Sequence, residues 1–255
     1  MDRTQSEIKV STLNVHGRGP GWRARRVELV RQLVALDVDA ISLQELRTWP
    51  SQGAWLARAS SPPGPLSTRP WRGGARAYTF VGARKRGLRG YEGIGVVTRL
   101  PVLEREIVPL GAGGRVALRC RLDVGGTAFD LYSVHFQHGS MTGDIRLRGA
   151  ERLLTTIEAR GGPAVVAGDL NGPPESRALQ LLTGTLRSTQ VVVHGMEPAS
   201  TVAPVERGTV LDYILVSDGI EVLGAGLAFD EPGPGGEMVS DHLGLVSRIR
   251  LLPGS

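Results

Sequence analysis

Short apolar runs alternate with longer stretches of helical spacing along the whole chain. Ile8–Val15 reads as a strand and Asp39–Leu43 as a short buried one. Between them, Trp22–Leu36 carries Val27, Val30, Leu33 and Val34 at the spacing of a helix. Strand-like runs return at Ala77–Ala83, Gly93–Thr98, Val102–Pro109, Arg115–Val124 and Thr127–Phe136. The last two are joined by Gly125-Gly126, a hairpin signature. Asp144–Ala159 predicts a second long helix, with Ile145, Leu147, Leu153, Leu154 and Ile157 on its apolar side. Pro163–Ala167 is a short apolar strand that runs into Gly168-Asp169-Leu170-Asn171. Pro173-Pro174-Glu175 then suits the first turn of a helix reaching Leu182, since proline is tolerated there. Val210–Val216, Ile220–Leu227 and Leu243–Leu251 complete the strands, and residues 230–240 form a Gly/Pro loop.

Many strands with few helices predict an α/β (α+β) architecture, with two sheets packed face to face and helices outside. No internal repeat or interdomain linker interrupts the pattern, so residues 1–255 read as a single domain. A Pro/Gly/Arg-rich loop insertion at about 50–76 breaks it once, and residues 60–75 can continue neither a helix nor a strand.

Composition narrows the class. Hydrophobic residues make up 41% and charged residues 22%, the mix of a folded globular domain and not of a disordered chain. No run approaches the ~18 apolar residues of a membrane span. The N-terminal Met1-Asp2-Arg3-Thr4-Gln5-Ser6-Glu7 lacks the apolar segment of a signal peptide. The single Cys120 excludes an intrachain disulfide and a cysteine-cluster zinc site. Together these features predict a soluble protein of the reducing cytoplasm, and a monomer.

Charge is unevenly spread. The net charge is +5, and the only lysines are Lys9 and Lys85; the other basic residues are arginines. Residues 1–128 hold 21 basic and 10 acidic groups, whereas residues 129–255 hold 9 and 15. No acid lies between Glu45 and Glu92, a stretch that includes Arg84, Lys85, Arg86 and Arg89. Such a segment attracts phosphate, although a solvated arginine-rich loop has the same composition. All four tryptophans, Trp22, Trp49, Trp55 and Trp71, fall in the first 71 positions. Aromatics among arginines suit stacked bases or a lipid interface.

Candidate chemistry sits at strand ends. Asn14, Glu45, His135, Asp169, Asn171 and the Asp241-His242 pair all adjoin apolar runs, where open α/β sheets build their sites. The set is rich in oxygen donors and free of cysteine, which suits Mg²⁺ or Mn²⁺. Taken singly, each has an ordinary explanation: Asn14 a turn, Glu45 a solvated end, Asp169-x-Asn171 an Asx turn. Asp212 is harder to explain, because an acid inside the apolar run Leu211–Ile214 needs a partner, and His242 can supply it. His16 and His138 lie close in sequence to Asn14 and His135 and are candidates for the rim; His194 has no motif around it. The glycines of residues 87–95 lack the dinucleotide-binding pattern, and no phosphate-binding loop motif occurs.

Taken in order, seven short motifs form a recognisable series. They are Thr12-Leu13-Asn14, Leu43-Gln44-Glu45, Gly93–Arg99, Ser133-Val134-His135, Gly168–Asn171, Leu211–Ile214 and Ser240-Asp241-His242. The series resembles the endonuclease/exonuclease/phosphatase superfamily, the fold group of DNase-I-like enzymes. The resemblance implies a four-layered α/β/β/α sandwich of two packed mixed β-sheets, and metal-dependent phosphoester hydrolysis. It implies that Glu45 holds Mg²⁺ or Mn²⁺ with Asn14 and Asp241. Asp169 would orient or deprotonate the attacking water, and Asn171 would fix that water or a phosphate oxygen. His242, polarised by Asp212, would bind the scissile phosphate, and His135 would contact the phosphate or assist the leaving group. Either Asp169 or His242 can serve as the base on this resemblance. The basic stretch favours a nucleic-acid phosphodiester, with Arg84, Lys85, Arg86, Arg89, His16 and His138 as substrate contacts. A phospholipid or inositol-phosphate hydrolase is the alternative, with peripheral membrane contact. A non-catalytic binder of nucleic acid or protein is a third reading, and the complete polar set speaks against it.

Overall fold

The computed structural model describes residues 7–61, 77–85 and 91–253. The chain begins with β1 (Glu7–Asn14), α1 (Trp22–Leu36), β2 (Ala40–Arg47), α2 (Gln52–Ala59), β3 (Thr79–Arg84) and β4 (Glu92–Thr98). It continues through β5 (Val102–Pro109), β6 (Val116–Val124), β7 (Thr127–His135), α3 (Gly143–Arg160), β8 (Ala164–Asp169) and α4 (Arg177–Thr183). It ends with β9 (Arg187–Ser188), α5 (Thr189–His194), β10 (Asp212–Val216), β11 (Ile220–Ala228) and β12 (Gly244–Leu251).

Among the described residues the strands form two six-stranded sheets, ordered β11-β12-β1-β2-β4-β3 and β5-β6-β7-β8-β10-β9. β1 and β2 are parallel, as are β7 and β8, and the other paired strands are antiparallel. A parallel pair needs a crossover, and α1 and α3 supply one each. The four parallel strands therefore finish in matched pairs, with Asn14 beside Gln44 and His135 beside Asp169.

Alternation with a period of two explains the layers. One face of each strand enters the space between the sheets: Ile8 and Val10 of β1, Phe129 and Leu131 of β7, Val165 and Ala167 of β8, Ile214 and Val216 of β10. The opposite faces pack under helices. Leu13, Ile41, Leu43 and Val97 meet Leu29 and Leu33 of α1 and Leu56 of α2. Tyr132, Val134, Val166 and Leu215 meet Leu153 and Ile157 of α3 and Leu179 of α4. The expected two packed mixed sheets with outer helices are present as an α/β/β/α sandwich.

Two glycine sites are dictated by backbone geometry. Gly125 and Gly126 have φ of 62° and 92° and join Val124 to Thr127. Positive φ at both positions is the turn that matches strand twist, so the expected hairpin forms. Gly168 lies so close to β7 that a Cβ would overlap the Val134 carbonyl, which allows β8 to pair there.

Several expected details differ. The insertion at about 50–76 is partly helical: α2 starts after Ser51, whose Oγ accepts from Ala54 N at 3.2 Å, and it buries Leu56 and Ala57. Residues 62–76, which hold most of the expected loop and Trp71, lie outside the described residues. In α1, Val27 and Val34 are exposed, while Arg25, Glu28 and Gln32 are buried beside Leu29 and Leu33. The inward polar residues have bonded partners, Gln32 for example donating to Glu28 Oε1 and Glu231 O, so apolar spacing misjudged that face. In α3, Leu153, Leu154 and Ile157 are buried as expected, but Ile145 and Leu147 are only partly buried and Gly149 and Ala150 take the inner positions. The helix expected from Pro173 begins at Arg177; Pro173 instead closes a turn, its carbonyl accepting from Ser176 N at 2.9 Å. No helix among the described residues is long and apolar enough to cross a membrane.

Candidate active site

The inward face of each central strand changes character toward one end. After Ile8 and Val10, β1 places Thr12 and Asn14; after Phe129 and Leu131, β7 places Ser133 and His135; after Val165 and Ala167, β8 places Asp169. β10 runs the other way and begins with Asp212, paired opposite Asp169. These polar side chains are nearly all buried, so each requires hydrogen-bond partners. Ser42 Oγ of β2 donates to Ala167 O at 2.8 Å and meets Ser133 Oγ at 2.7 Å, which ties the two sheets beneath the site.

Asn14 links the two halves directly. Its Nδ2 donates to Asp169 Oδ2 at 3.0 Å and to Glu45 Oε1 at 3.2 Å. Glu45 reaches that position through a β-bulge. Leu43 pairs with Gly95 and Leu46 with Gly93, so two residues of β2 lie between. Regular alternation would put Glu45 on the helix-facing side with Leu43; the bulge and a φ of 55° turn it to the site. Asn171 and His16 also hold positive φ, 49° and 46°. Strained backbone of this kind concentrates at functional sites.

Asp169 is held from several sides. Its Oδ1 accepts from Asn171 N at 2.9 Å, the expected Asx turn, and His135 Nε2 lies 3.5 Å from Oδ2. Burial pushes the Asp169 carboxyl up to about 7, and the neighbouring Asp212 adds to this against the opposing pull of His242, Asn14 and the Asn171 N–H. Asn171 Nδ2 donates to Phe136 O at 3.2 Å, and its Oδ1 meets His138 Nδ1 at 3.3 Å.

The two central histidines are in opposite states. His242 Nδ1 lies 2.8 Å from Asp212 Oδ2, the partnership expected from sequence. Burial opposes a charge on His242, but Asp212, Asp169 and Asp241 outweigh it and raise its pKa to about 10. Asp212 is fully buried, takes Thr201 Oγ1 at its backbone N–H, and leaves Oδ1 without a hydrogen-bond partner among the described residues. His135 is held well below the ordinary imidazole value by burial and by the Arg115 guanidinium. Arg115 Nη1 sits 2.8 Å from His135 Nδ1 and donates to Glu92 Oε1 at 2.6 Å. A neutral His135 accepting at Nδ1 carries its proton on Nε2, facing Asp169.

At the rim, Asp241 Oδ1 is 3.1 Å from His16 Nδ1. Ser240 Oγ donates to Asn14 O at 2.6 Å. Buried Arg25 of α1 gathers the surrounding loops, donating to the carbonyls of Val15, His16, Pro20 and Val239. The donor set fits a hard divalent cation. Glu45 has no ion-pair partner among the described residues, and with Asn14 and Asp241 it supplies oxygen donors. Donor atoms of Asp169, Asp212 and His242 also lie within 4.8 Å of one another. There, however, the His242 ring nitrogen facing Asp212 is already hydrogen-bonded to it.

Residues 11–242 match the Endonuclease/Exonuclease/phosphatase family. The chain belongs to this family. Family members are generally divalent-metal-dependent hydrolases of phosphoester bonds. An endonuclease/exonuclease/phosphatase of Bacteroides vulgatus has a similar structure, with a TM-score of 0.77 and 19% identity over 96% of this chain and 99% of that one. D. rerio TDP2 complexed with single-strand DNA product superposes with a TM-score of 0.78 and 18% identity, covering 96% and 99% of the two chains. The human Nocturnin catalytic domain with bound sulfate gives 0.76 and 19%, covering 96% and 94%. At these identities the likeness to solved structures is one of fold. No curated sequence matches the chain.

Of the candidates that the endonuclease/exonuclease/phosphatase resemblance singled out, Asn14, Glu45, His135, Asp169, Asn171, Asp212, Asp241 and His242 converge. His16 and His138 join them at the rim. Arg84 is exposed on β3, and Lys85 lines a cleft with Glu92, Arg115 and His135. Arg86 and Arg89 lie outside the described residues. Sequence reasoning missed Arg25, Arg115 and Glu92. Glu92 had a signal, as the acid that closes the acid-free stretch; Arg25 and Arg115 are two arginines among many.

Proposed function

We propose that this member of the endonuclease/exonuclease/phosphatase family is a divalent-metal-dependent phosphodiesterase that cleaves nucleic acid by attack of water on phosphorus. The observation that carries the reading is the buried carboxylate of Asp169, held by Asn14 and Asn171 and facing two histidines in opposite charge states. A phosphodiester anion repels a nucleophile, so charge must be neutralised while a base prepares the water. Glu45, Asn14 and Asp241 would hold Mg²⁺ or Mn²⁺. A bound divalent ion would neutralise phosphate charge and stabilise developing negative charge. Asp169, raised toward neutrality, takes the proton of the attacking water. The oxygen–phosphorus bond to water forms as the bond to the leaving ester oxygen breaks. His242, kept cationic by Asp212, binds the phosphate and stabilises its charge. His135 donates from Nε2 to a phosphate or leaving-group oxygen, and Asn171 fixes the water or a phosphate oxygen. The basic residues Arg84 and Lys85, with His16 and His138 at the rim, support a nucleic-acid substrate. We further take the protein to be a cytoplasmic monomer.

The test is hydrolysis of plasmid DNA, single-stranded DNA, RNA, sphingomyelin, inositol phosphates and bis-p-nitrophenyl phosphate, with Mg²⁺, Mn²⁺ or EDTA. Metal-dependent cleavage of nucleic acid is expected, falling at least ~10³-fold in Asp169→Asn. Cleavage of lipid or inositol phosphate alone moves the chain to the alternative reading. Full activity of Asp169→Asn removes that residue from the mechanism.

A further inference from the structure

The loop that leaves β7 holds both ends of the Asn171 amide. Asn171 Nδ2 donates to Phe136 O at 3.2 Å, and Asn171 Oδ1 lies 3.3 Å from His138 Nδ1. A carboxamide oxygen only accepts, so the proton of that second contact sits on His138 Nδ1. Turning the amide over would set Oδ1 against the Phe136 carbonyl. Phe136 and His138 therefore fix which way Asn171 points, and each end of the amide keeps a further hydrogen bond to offer a substrate.

The loop is held in turn by Arg146. Of the four arginines of α3, Arg148, Arg152 and Arg160 are exposed and Arg146 is buried. Its Nη1 donates to Gln137 O at 3.1 Å, to Gly139 O at 2.8 Å and to Thr142 Oγ1 at 2.8 Å. The two carbonyls flank His138. Thr142 Oγ1 itself donates to Gly139 O at 2.6 Å, and Gly139 turns the loop with a φ of 111°, which favours glycine. The helix disfavours a cation here: Arg146 is the fourth residue of α3, where the dipole opposes positive charge. Among the described residues no carboxylate pairs with it, and burial lowers its pKa against the pull of Asp169. What the arginine gains in exchange is its grip on the loop.

We infer that Arg146 is a positioning residue for phosphoester cleavage: it clamps residues 137–142 so that Phe136 and His138 hold the Asn171 amide in a single orientation beside Asp169. The inference rests on the hydrolase reading proposed above and holds whether the ester belongs to nucleic acid or to lipid. An amide displaced by about 1 Å loses much of its effect on a transition state, so the cost of losing the clamp falls on kcat more than on KM.

The experiment is a double-mutant cycle between Arg146→Met and Asn171→Ala in the full chain, with bis-p-nitrophenyl phosphate and Mg²⁺, read as kcat and KM per folded molecule. Methionine keeps an apolar stem and removes the charged fork. In the wild-type background Arg146→Met should lower kcat by about 10- to 100-fold and leave KM within about 3-fold. Beside Asn171→Ala, which leaves no amide to position, the same substitution should cost less than about 3-fold. Equal losses in the two backgrounds overturn the inference, as does full kcat in Arg146→Met. Hydrogen exchange gives a readout without turnover. Residues 137–142 should exchange faster in Arg146→Met than in wild type, and an unchanged rate overturns the clamp. If Arg146→Met does not fold, Thr142→Val takes its place in the cycle, because it removes one of the three acceptors and leaves the guanidinium. A loss of about 3- to 10-fold that vanishes beside Asn171→Ala is then expected; no loss, or an equal loss in both backgrounds, overturns the clamp. The wild-type chain separates the two failures. If it hydrolyses phosphoesters and the cycle is additive, the clamp alone falls. If it hydrolyses none with Mg²⁺ or Mn²⁺, the proposed function falls and the inference with it.

Discussion

The space between the two sheets has two ends built by the same strands on opposite principles. At one end Val10, Phe129, Leu131, Val165 and Val216 pack as an apolar core. At the other, further along the same inward faces, Thr12, Ser133 and Asp212 begin a buried polar network that culminates in Asp169 and His242. The first end gains stability by removing apolar surface from water. The second removes charges from water and depends on every partner being in place. The difference teaches where this chain concentrates stability and where it gives stability up for chemistry.

The largest effect expected on breaking this contrast comes at the apolar end. Phe129 is fully buried between the sheets, and Phe129→Ala should lower unfolding free energy by about 3–5 kcal/mol in urea titrations. Because the site lies at the other end of the strands, activity per folded molecule should stay within about 2-fold of wild type. A large loss of kcat at full folding would show that the two ends are mechanically joined.

The second effect has the opposite sign. The folded-state pKa of Asp169 is above its unfolded value, so between about pH 4 and 7 the folded chain holds more protons than the unfolded one. Stability therefore falls as pH rises through that window, and the cost of the buried carboxylate is complete above it. Asp169→Asn removes the cost but presents an amide N–H₂ where one carboxylate oxygen accepted. In EDTA at pH 8 the variant should be more stable by about 1–3 kcal/mol, and the gain should vanish near pH 4. Equal stability at both pH values would mean that the site carries no such strain. A gain in stability alongside lost turnover is the expected trade at a site built for activity.

This contrast also sets what was legible in the sequence. The layers follow from alternation, and the polar positions at strand ends, from Asn14 to His242, stand out because each closes an apolar run. The Asp212–His242 pair was legible because an acid in an apolar strand demands a partner. The placement of Glu45 was not: it depends on a bulge that shifts one strand against another, and a single strand's pattern does not encode its neighbour's register. The inner face of α1 was misjudged for a related reason. Its buried Arg25 and Gln32 take partners distant in the chain, Val239 and Glu231, and Glu28 is satisfied by Arg31 and Gln32 on its own helix, so their spacing looks like that of a solvated face.

Arg25 provides the smallest and most specific test. Its guanidinium spans the loop after β1, which carries His16, and the loop before β12, which carries Ser240 and Asp241, through carbonyls at 2.6–3.1 Å. Among the described residues no carboxylate is hydrogen-bonded to it; the carbonyls occupy its donors. Lysine keeps the charge but loses the planar fork, so Arg25→Lys should cost about 1–2 kcal/mol of stability. Among the groups assigned to the reaction Arg25 hydrogen-bonds the His16 carbonyl and feels the charge of Asp241, an attraction that lysine keeps, so the effect of Arg25→Lys on turnover runs through loop position. A shift of about 1 Å at the rim suffices for a 10- to 100-fold drop in kcat/KM. Arg31→Lys on the same helix is the control, because Arg31 is half exposed and lysine keeps its charge beside both partners, the buried Glu28 and the exposed Glu231; a cost of about 1 kcal/mol is expected. If Arg25→Lys loses stability but keeps full kcat/KM, the guanidinium serves the fold alone. If kcat/KM falls while Arg31→Lys is unaffected, the polar end of the sandwich is tuned from outside its own layer.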